Sequence, residues 1–152
     1  MGLKLEGLEQ AIHRLANIGK RSSKGARRAL EDGARDIAQL AALQAPRESG
    51  ALERAIDYGA DKSSGINRRD RFVVFIRQDL INPKSGKPVG DYADLVHEGL
   101  HDSVNGPGPG TILKQESLPG IEVGPFFMER AAEELEPRIR KEVERQVKKA
   151  IR

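Results

Sequence analysis

The sequence predicts an α+β fold in which a small antiparallel sheet packs against a long second helix and a long C-terminal helix. Three observations lead to this prediction. Small apolar residues recur every three or four positions before Pro46, and larger ones do so after Pro125, as on one face of a helix. Five β-branched or aromatic residues follow one another at 72–76, which is typical of a strand. The length of 152 residues suits a single domain over 1–152.

Two helices are predicted before the sheet. The first covers residues 5–18 and is closed by Gly19, which suits a left-handed cap. The second begins at Ser22 or Ser23 as N-cap and ends before Pro46. Its apolar stripe consists mostly of alanine and glycine, so we expect another backbone to pack close against it.

The middle of the chain is predicted to supply the sheet. Ser49 and Gly50 permit a sharp turn into a short third helix that carries Leu52. Residues 55–60 are a weaker strand, expected to form a hairpin with 72–76. Because the second strand is apolar throughout, both of its faces are expected to be buried.

The second half is predicted to alternate loops with helices. Flexible loops are expected at about 79–90 and 101–120, where prolines and glycines cluster. A short helix lies between them at 92–98, and residues 121–123 are a candidate strand. The C-terminal helix begins at Pro125 with two anchoring phenylalanines, and Pro137 is expected to kink it or make it stop and restart.

The composition excludes several classes of function. The chain has no cysteine, which excludes disulfides, thiolate zinc sites and cysteine nucleophiles. No run approaches the ~20 apolar residues of a membrane span, and no apolar signal core is present at the N-terminus. Aromatic residues make up 4%, too few for a base-stacking platform. We therefore expect a protein made in the cytoplasm that needs no cofactor and contacts no membrane.

A basic cluster lies near the N-terminus. Residues 1–30 carry seven basic and two acidic side chains, and five of the basic ones lie close together: Lys20, Arg21, Lys24, Arg27 and Arg28. The cluster is either a solvated loop and first helical turn or a contact for DNA or an acidic partner. The sequence leaves this choice open.

The segment His97-Glu98-Gly99-Leu100-His101 matches the zinc-peptidase signature H-E-x-x-H. That chemistry requires a continuous helix that projects both imidazoles from one face. Gly99 weakens such a helix, and the chain offers no further histidine after His101. We expect Gly99 to cap a short helix instead, and a zinc-dependent hydrolase remains an alternative.

Three short motifs occur in order along the chain. The first motif is APRESGAL at 45–52, the second motif is YADLVHEG at 92–99, and the third motif is GPFFMERA at 124–131. They resemble the segments A-P-x-x-[ST]-G-x-L, Y-A-x-x-[VL]-x-x-G and R-P-F-[LM]-x-x-A of the tail-component family of long-tailed bacteriophages. The matching residues are Pro46, Ser49, Gly50, Leu52, Tyr92, Ala93, Gly99, Pro125 and Phe126. Gly124 stands where the family usually has a basic residue, and the loop after His101 is longer than is typical.

The resemblance implies a non-enzymatic virion protein that completes the tail and joins it to the head. Members of this family would form a ring, expected here to be hexameric, at the head-proximal end of the tail. The implied partners are further copies of the chain, a head-completion or neck protein and a tail-terminator or tail-tube protein. DNA would pass through the lumen without sequence-specific binding. The alternatives are the zinc hydrolase and a small basic nucleic-acid-binding module.

Overall fold

A long helix, α1 (Lys24–Gln44), begins the part of the chain described by the computed structural model. This part comprises residues 24–61, 71–100 and 106–151. The helix predicted over 5–18 and the serines predicted to cap α1 lie outside it. α1 is rich in alanine, which has the highest helix propensity, and it ends before Pro46 as predicted.

Two short strands form the antiparallel hairpin predicted from the sequence. The helix α2 (Ala51–Ala55) leads directly into β1 (Ile56–Ala60), which pairs with β2 (Phe72–Ile76). Three residues of β2 are buried, but Phe75 is 37% exposed. The prediction that both faces of this strand are buried is wrong, because only one face of the hairpin lies against α1 and the other faces outward.

The segment after β2 is more regular than a simple loop. Residues 79–90 contain an isolated bridge between Ile81 and Pro88, and the chain then forms a 3₁₀ helix (Val89–Asp91). The helix α3 (Ala93–His97) follows at once, within the range predicted for it.

A further helix, α4 (Pro109–Ser117), lies in the region predicted to be a loop over 101–120. For these nine residues the loop prediction is wrong, and residues 101–105 lie outside the described ranges. Pro109 occupies the first helical turn, where its missing N–H costs nothing, so it starts this helix. Residues 121–123 form no strand. The Gln115 side chain instead binds the Ile121 carbonyl and the Val123 N–H, both at 2.7 Å.

The C-terminal helix, α5 (Phe127–Ile151), runs through Pro137 without a break. The predicted stop and restart therefore does not occur. Pro137 is exposed, and at such a position water can bind the backbone carbonyl that loses its partner. The small residues of α1 admit α5 closely: a Cβ placed on Gly33 would lie 2.8 Å from Cγ2 of Ile139. The expected close packing of another backbone on this stripe is confirmed.

One apolar cluster includes buried residues of α1, α2, β2, α3 and α5. Within it, α1 contacts both the sheet and α5, so the helix lies at the centre of the packing. This arrangement confirms the α+β class. Among the described residues, no helix combines the length and apolar character of a membrane span.

Candidate functional site

The three motifs, far apart in the sequence, meet beside the C-terminal end of α1. The N–H of Phe126, in the third motif, donates to the carbonyl of His97 in the second motif at 2.7 Å. The N–H of Gly124 donates at 2.9 Å to the carbonyl of Gln44, the residue that precedes the first motif. The described structure thus places all three motifs in one region.

The first motif makes the turn that the sequence predicts. Gly50 has φ of 76°, a left-handed conformation that glycine adopts without strain, and α2 begins at the next residue. The Ser49 hydroxyl accepts a long hydrogen bond from the N–H of Ala51 at 3.4 Å. Leu52 is buried in the core, while Pro46 is half-buried. Leu52 therefore anchors the turn in the core, while residues 46–50 lie nearer the surface.

A buried ion cluster joins the first motif to α4. Lys114 is 3% exposed, and its Nζ donates to the carbonyls of Ala42 and Ala45, both at 2.7 Å. It also donates to Oε1 of Glu53 at 2.6 Å. Arg47 binds the same carboxylate through Nε and Nη2, both at 2.8 Å. Lys114 therefore caps the last carbonyls of α1 from another helix, where a cation also suits the helix dipole.

Charge and burial oppose each other in this Lys114 cluster. Burial raises the pKa of Glu53, but hydrogen bonds and charge from Arg47 and Lys114 outweigh it and bring this pKa below its ordinary value. Burial lowers the pKa of Lys114, and Glu53 opposes that change. Three acceptors surround Nζ, and only the ammonium form has three N–H donors for them. The geometry therefore indicates a charged Lys114.

The start of α4 is clipped to the backbone of Arg47. The Thr111 hydroxyl accepts a hydrogen bond from the N–H of Arg47 at 3.1 Å and donates to its carbonyl at 3.3 Å. A Cβ on Gly110 would lie 2.4 Å from that carbonyl oxygen, so only glycine fits. Sequence reasoning missed Lys114 and Thr111. Their spacing places them on one helix face, but polar residues at such spacing normally face solvent.

The second motif is held in place by a buried residue and by a hydrogen bond to Asn82. Ala93 is buried in the core, and the Tyr92 hydroxyl accepts a hydrogen bond from Nδ2 of Asn82 at 3.1 Å. Asn82 is 1% exposed, and its Oδ1 accepts from the N–H of Lys84 at 2.9 Å. Burial raises the pKa of Tyr92, so its hydroxyl keeps its proton at neutral pH.

Gly99 ends α3 as the sequence predicts. It has φ of 73°, and its N–H donates to the carbonyl of Val96 while the N–H of Leu100 donates to that of Leu95. This pair of bonds is a Schellman cap, in which the two leucines typically contact each other. A Cβ on Gly99 would also lie 3.1 Å from Cβ of Pro125. The residue thus both ends a helix and admits the third motif.

His97 is buried against the third motif. Its ring centroid lies 4.9 Å from that of Phe127 and 5.9 Å from that of Phe126. Nε2 lies 2.8 Å from Oε2 of Glu129, although the contact lacks the alignment of a hydrogen bond. Burial lowers the pKa of His97 more than Glu129 raises it, which favours the neutral imidazole. Phe127 is fully buried, but Phe126 is 50% exposed with φ of 55°, so only Phe127 anchors α5 as predicted.

The zinc signature does not continue on one helix. α3 ends at His97, and Glu98 is its exposed C-cap residue. His101 lies outside the described residues. Among the residues that the structure does describe, no group of three histidine, aspartate or glutamate side chains is placed to hold a metal ion.

A cavity of about 460 Å³ lies where the first and second motifs face α4. Residues 46–50 form one wall, and Asn82 with Tyr92 and Val96 contributes another. The third wall is the start of α4, residues 108–111. Arg47, Lys84 and Lys87 also line this space, which we name the motif cavity.

The described residues of the basic cluster lie away from the motif cavity. Lys24, Arg27 and Arg28 are exposed on the first turns of α1, and Arg28 borders a groove between α1 and α5 that also contains Asp32. Lys20 and Arg21 lie outside the described residues. The structure therefore does not bring the described basic residues of this cluster to the motif cavity.

Comparison with known proteins adds no family. No family model, no curated protein and no solved structure matches this chain.

Proposed function

We propose that this chain is a structural protein of a tailed phage or prophage. In this proposal, copies of it form a ring, expected to be hexameric, at the head-proximal end of the tail. The ring completes the tail, joins it to a neck protein of the head, and leaves a channel for DNA. The chain has no catalytic role, and its place is in the virion.

The observation that carries this proposal is the packing of the three motifs on one another. Four of the matching residues take part in that packing: Leu52 and Ala93 are buried, and Gly99 admits Pro125. The three motifs are therefore parts of one folded unit. In a structural protein, separated motifs are expected where each one is needed for the same fold. No catalytic chemistry is needed to explain these three.

Exposed apolar side chains support assembly. Ile112 and Leu113 are 46% and 66% exposed on the outer face of α4, because Thr111 and Lys114 occupy its inner face. Apolar side chains grouped on a surface favour burial against another protein. A ring is closed by one face of each subunit meeting a different face of the next, and the outer face of α4 is a candidate for one of them.

The two alternatives have less support. A zinc hydrolase would need both imidazoles of the H-E-x-x-H segment on one helix, and α3 ends at the first of them. A nucleic-acid-binding module would rest on the basic cluster, where Arg28 lines the α1–α5 groove together with Asp32 and Asp36.

Complementation of a phage or prophage that encodes this chain tests the proposal. With the gene interrupted by a stop codon, lysates should contain DNA-filled heads and separate tails in electron micrographs. Supplying the intact chain in trans should restore joined virions. Normal virions in its absence would refute the role in joining.

The assembly itself is tested on purified protein by native mass spectrometry. We expect a closed oligomer, either alone or after addition of tails, and Leu113→Ser should weaken it because an apolar contact is lost. Glu116→Ser, a matched change at an exposed neighbour on α4, should leave assembly unchanged. A chain that stays monomeric even on tails would contradict the ring.

A further inference from the structure

Hydrogen bonds hold two walls of the motif cavity in place. The Thr111 side chain holds the start of α4 on Arg47, and the buried Asn82 side chain holds Tyr92. Its volume of about 460 Å³ falls within the range of small-ligand sites. Walls held by hydrogen bonds need little ordering on binding, which favours affinity.

The lining carries excess positive charge. Three cationic side chains, Arg47, Lys84 and Lys87, face one anionic side chain, Glu48. Lys84 lies 3.4 Å from that carboxylate. Lys87 forms no ion pair within the described part of the chain. Arg47 is paired with Glu53, but Glu53 is shared with Lys114, so that cluster also retains a net positive charge.

The Tyr92 hydroxyl is a further hydrogen-bond donor in the motif cavity. The Tyr92 hydroxyl accepts from Asn82, and its own proton has no acceptor among the described residues. Arg47 likewise uses Nε and Nη2 on Glu53, which leaves Nη1 available. Free donors and cations together select an anionic acceptor, and guanidinium and ammonium groups suit a carboxylate.

Apolar groups lie beside these charges. Pro46, Leu52, Val96 and Pro109 line the cavity together with the cationic side chains. A ligand that fits both features has a carboxylate next to an apolar group. A nucleic-acid backbone presents phosphates but no apolar side chain for the apolar part of this lining.

We propose that the motif cavity binds an acidic segment of a partner protein, as an extended peptide with glutamate or aspartate beside an apolar residue. The carboxylate interacts with Lys87, Lys84 and the Tyr92 hydroxyl, and the apolar neighbour packs against Pro46 and Val96. This site does not depend on the ring, and the isolated chain is sufficient to test it.

The test is an NMR titration of the full chain with the capped pentapeptide VEPEL, and with VQPQL as the uncharged match. VEPEL should give saturable shifts confined to the amides around the cavity, and VQPQL should bind at least tenfold more weakly. Lys87→Glu should weaken VEPEL binding at least tenfold, and Lys84→Glu should act in the same direction. Lys141→Glu, an equal charge change on the exposed side of α5, should leave affinity within twofold.

Three results would overturn the proposal. One is equal binding of VQPQL, or no saturable shifts up to about 10 mM VEPEL. Another is full affinity in a folded Lys87→Glu protein, with folding checked by circular dichroism. The third is displacement of VEPEL by a DNA duplex, which would make the cavity a phosphate site. Ring formation is measured separately by mass, so failure of either proposal leaves the other intact.

Discussion

Replacing Lys114 by methionine tests the contribution of the buried ion cluster to stability. Methionine keeps a flexible apolar stem of similar length but removes the ammonium. The change would leave the carbonyls of Ala42 and Ala45 without their donor and Glu53 with Arg47 alone. α4 would also lose its main polar attachment to the C-terminal end of α1.

The expected loss is large for a single substitution. Removing one partner of a buried ion pair costs about 3–5 kcal/mol, and we expect about 3 kcal/mol because Glu53 keeps its bidentate partner. Urea denaturation followed by circular dichroism at fixed protein concentration measures the free energy of unfolding. Lys141→Met, at an exposed position, should change it by less than about 0.5 kcal/mol.

A double-mutant cycle with Glu53→Gln separates the ion pair from packing. If Lys114 and Glu53 stabilise each other, the double variant should lose less than the sum of the single variants. A Lys114→Met protein as stable as the original would refute this reasoning, since it would mean that the buried ammonium contributes no net stability. Hydrogen exchange at the amides of α4 would show whether the helix opens locally before the core does.

Two further predictions concern His97 and Gly33. Because burial holds the pKa of His97 below its ordinary 6.5, the unfolded chain takes up the proton first as the pH falls below that value. Folding stability should therefore decrease from pH 7 to 5, and less steeply in His97→Gln; an equal slope would contradict a buried neutral imidazole near Glu129, Asp94 and Glu98. Gly33→Ala should cost about 1 kcal/mol in thermal unfolding, because overpacking against Ile139 outweighs the gain in helix propensity. Ile139→Ala removes all three crowding carbons, so combining it with Gly33→Ala should cost less than the two single changes added together. A stabilised Gly33→Ala protein would instead show that α5 shifts freely.

Local sequence signals predicted those features whose causes are local. Gly99 ends α3 in a left-handed conformation that suits glycine. α1 ends before Pro46 because a proline disfavours helical geometry in the residue before it. The hairpin of β1 and β2 followed from β-branched and aromatic residues within a short span of the chain. The stripe of small residues on α1 likewise indicated that another backbone packs close, and the structure shows that α5 does so at Gly33. The α+β class depends on these local patterns and was therefore predictable.

Long-range packing decided the rest. α4 was missed because the glycines and prolines around its start resemble a loop, whereas its docking depends on Thr111 binding Arg47, 64 positions away. The sequence does not distinguish Lys114 from an exposed lysine. In the folded chain, two carbonyls and a carboxylate surround its ammonium group. The motif cavity arises in the same way, from segments that are adjacent only after folding. Periodicity and turn residues depend on neighbours in the sequence, so they can be recognised before the fold is known. Burial and charge pairing depend on which distant groups the fold brings within hydrogen-bonding distance.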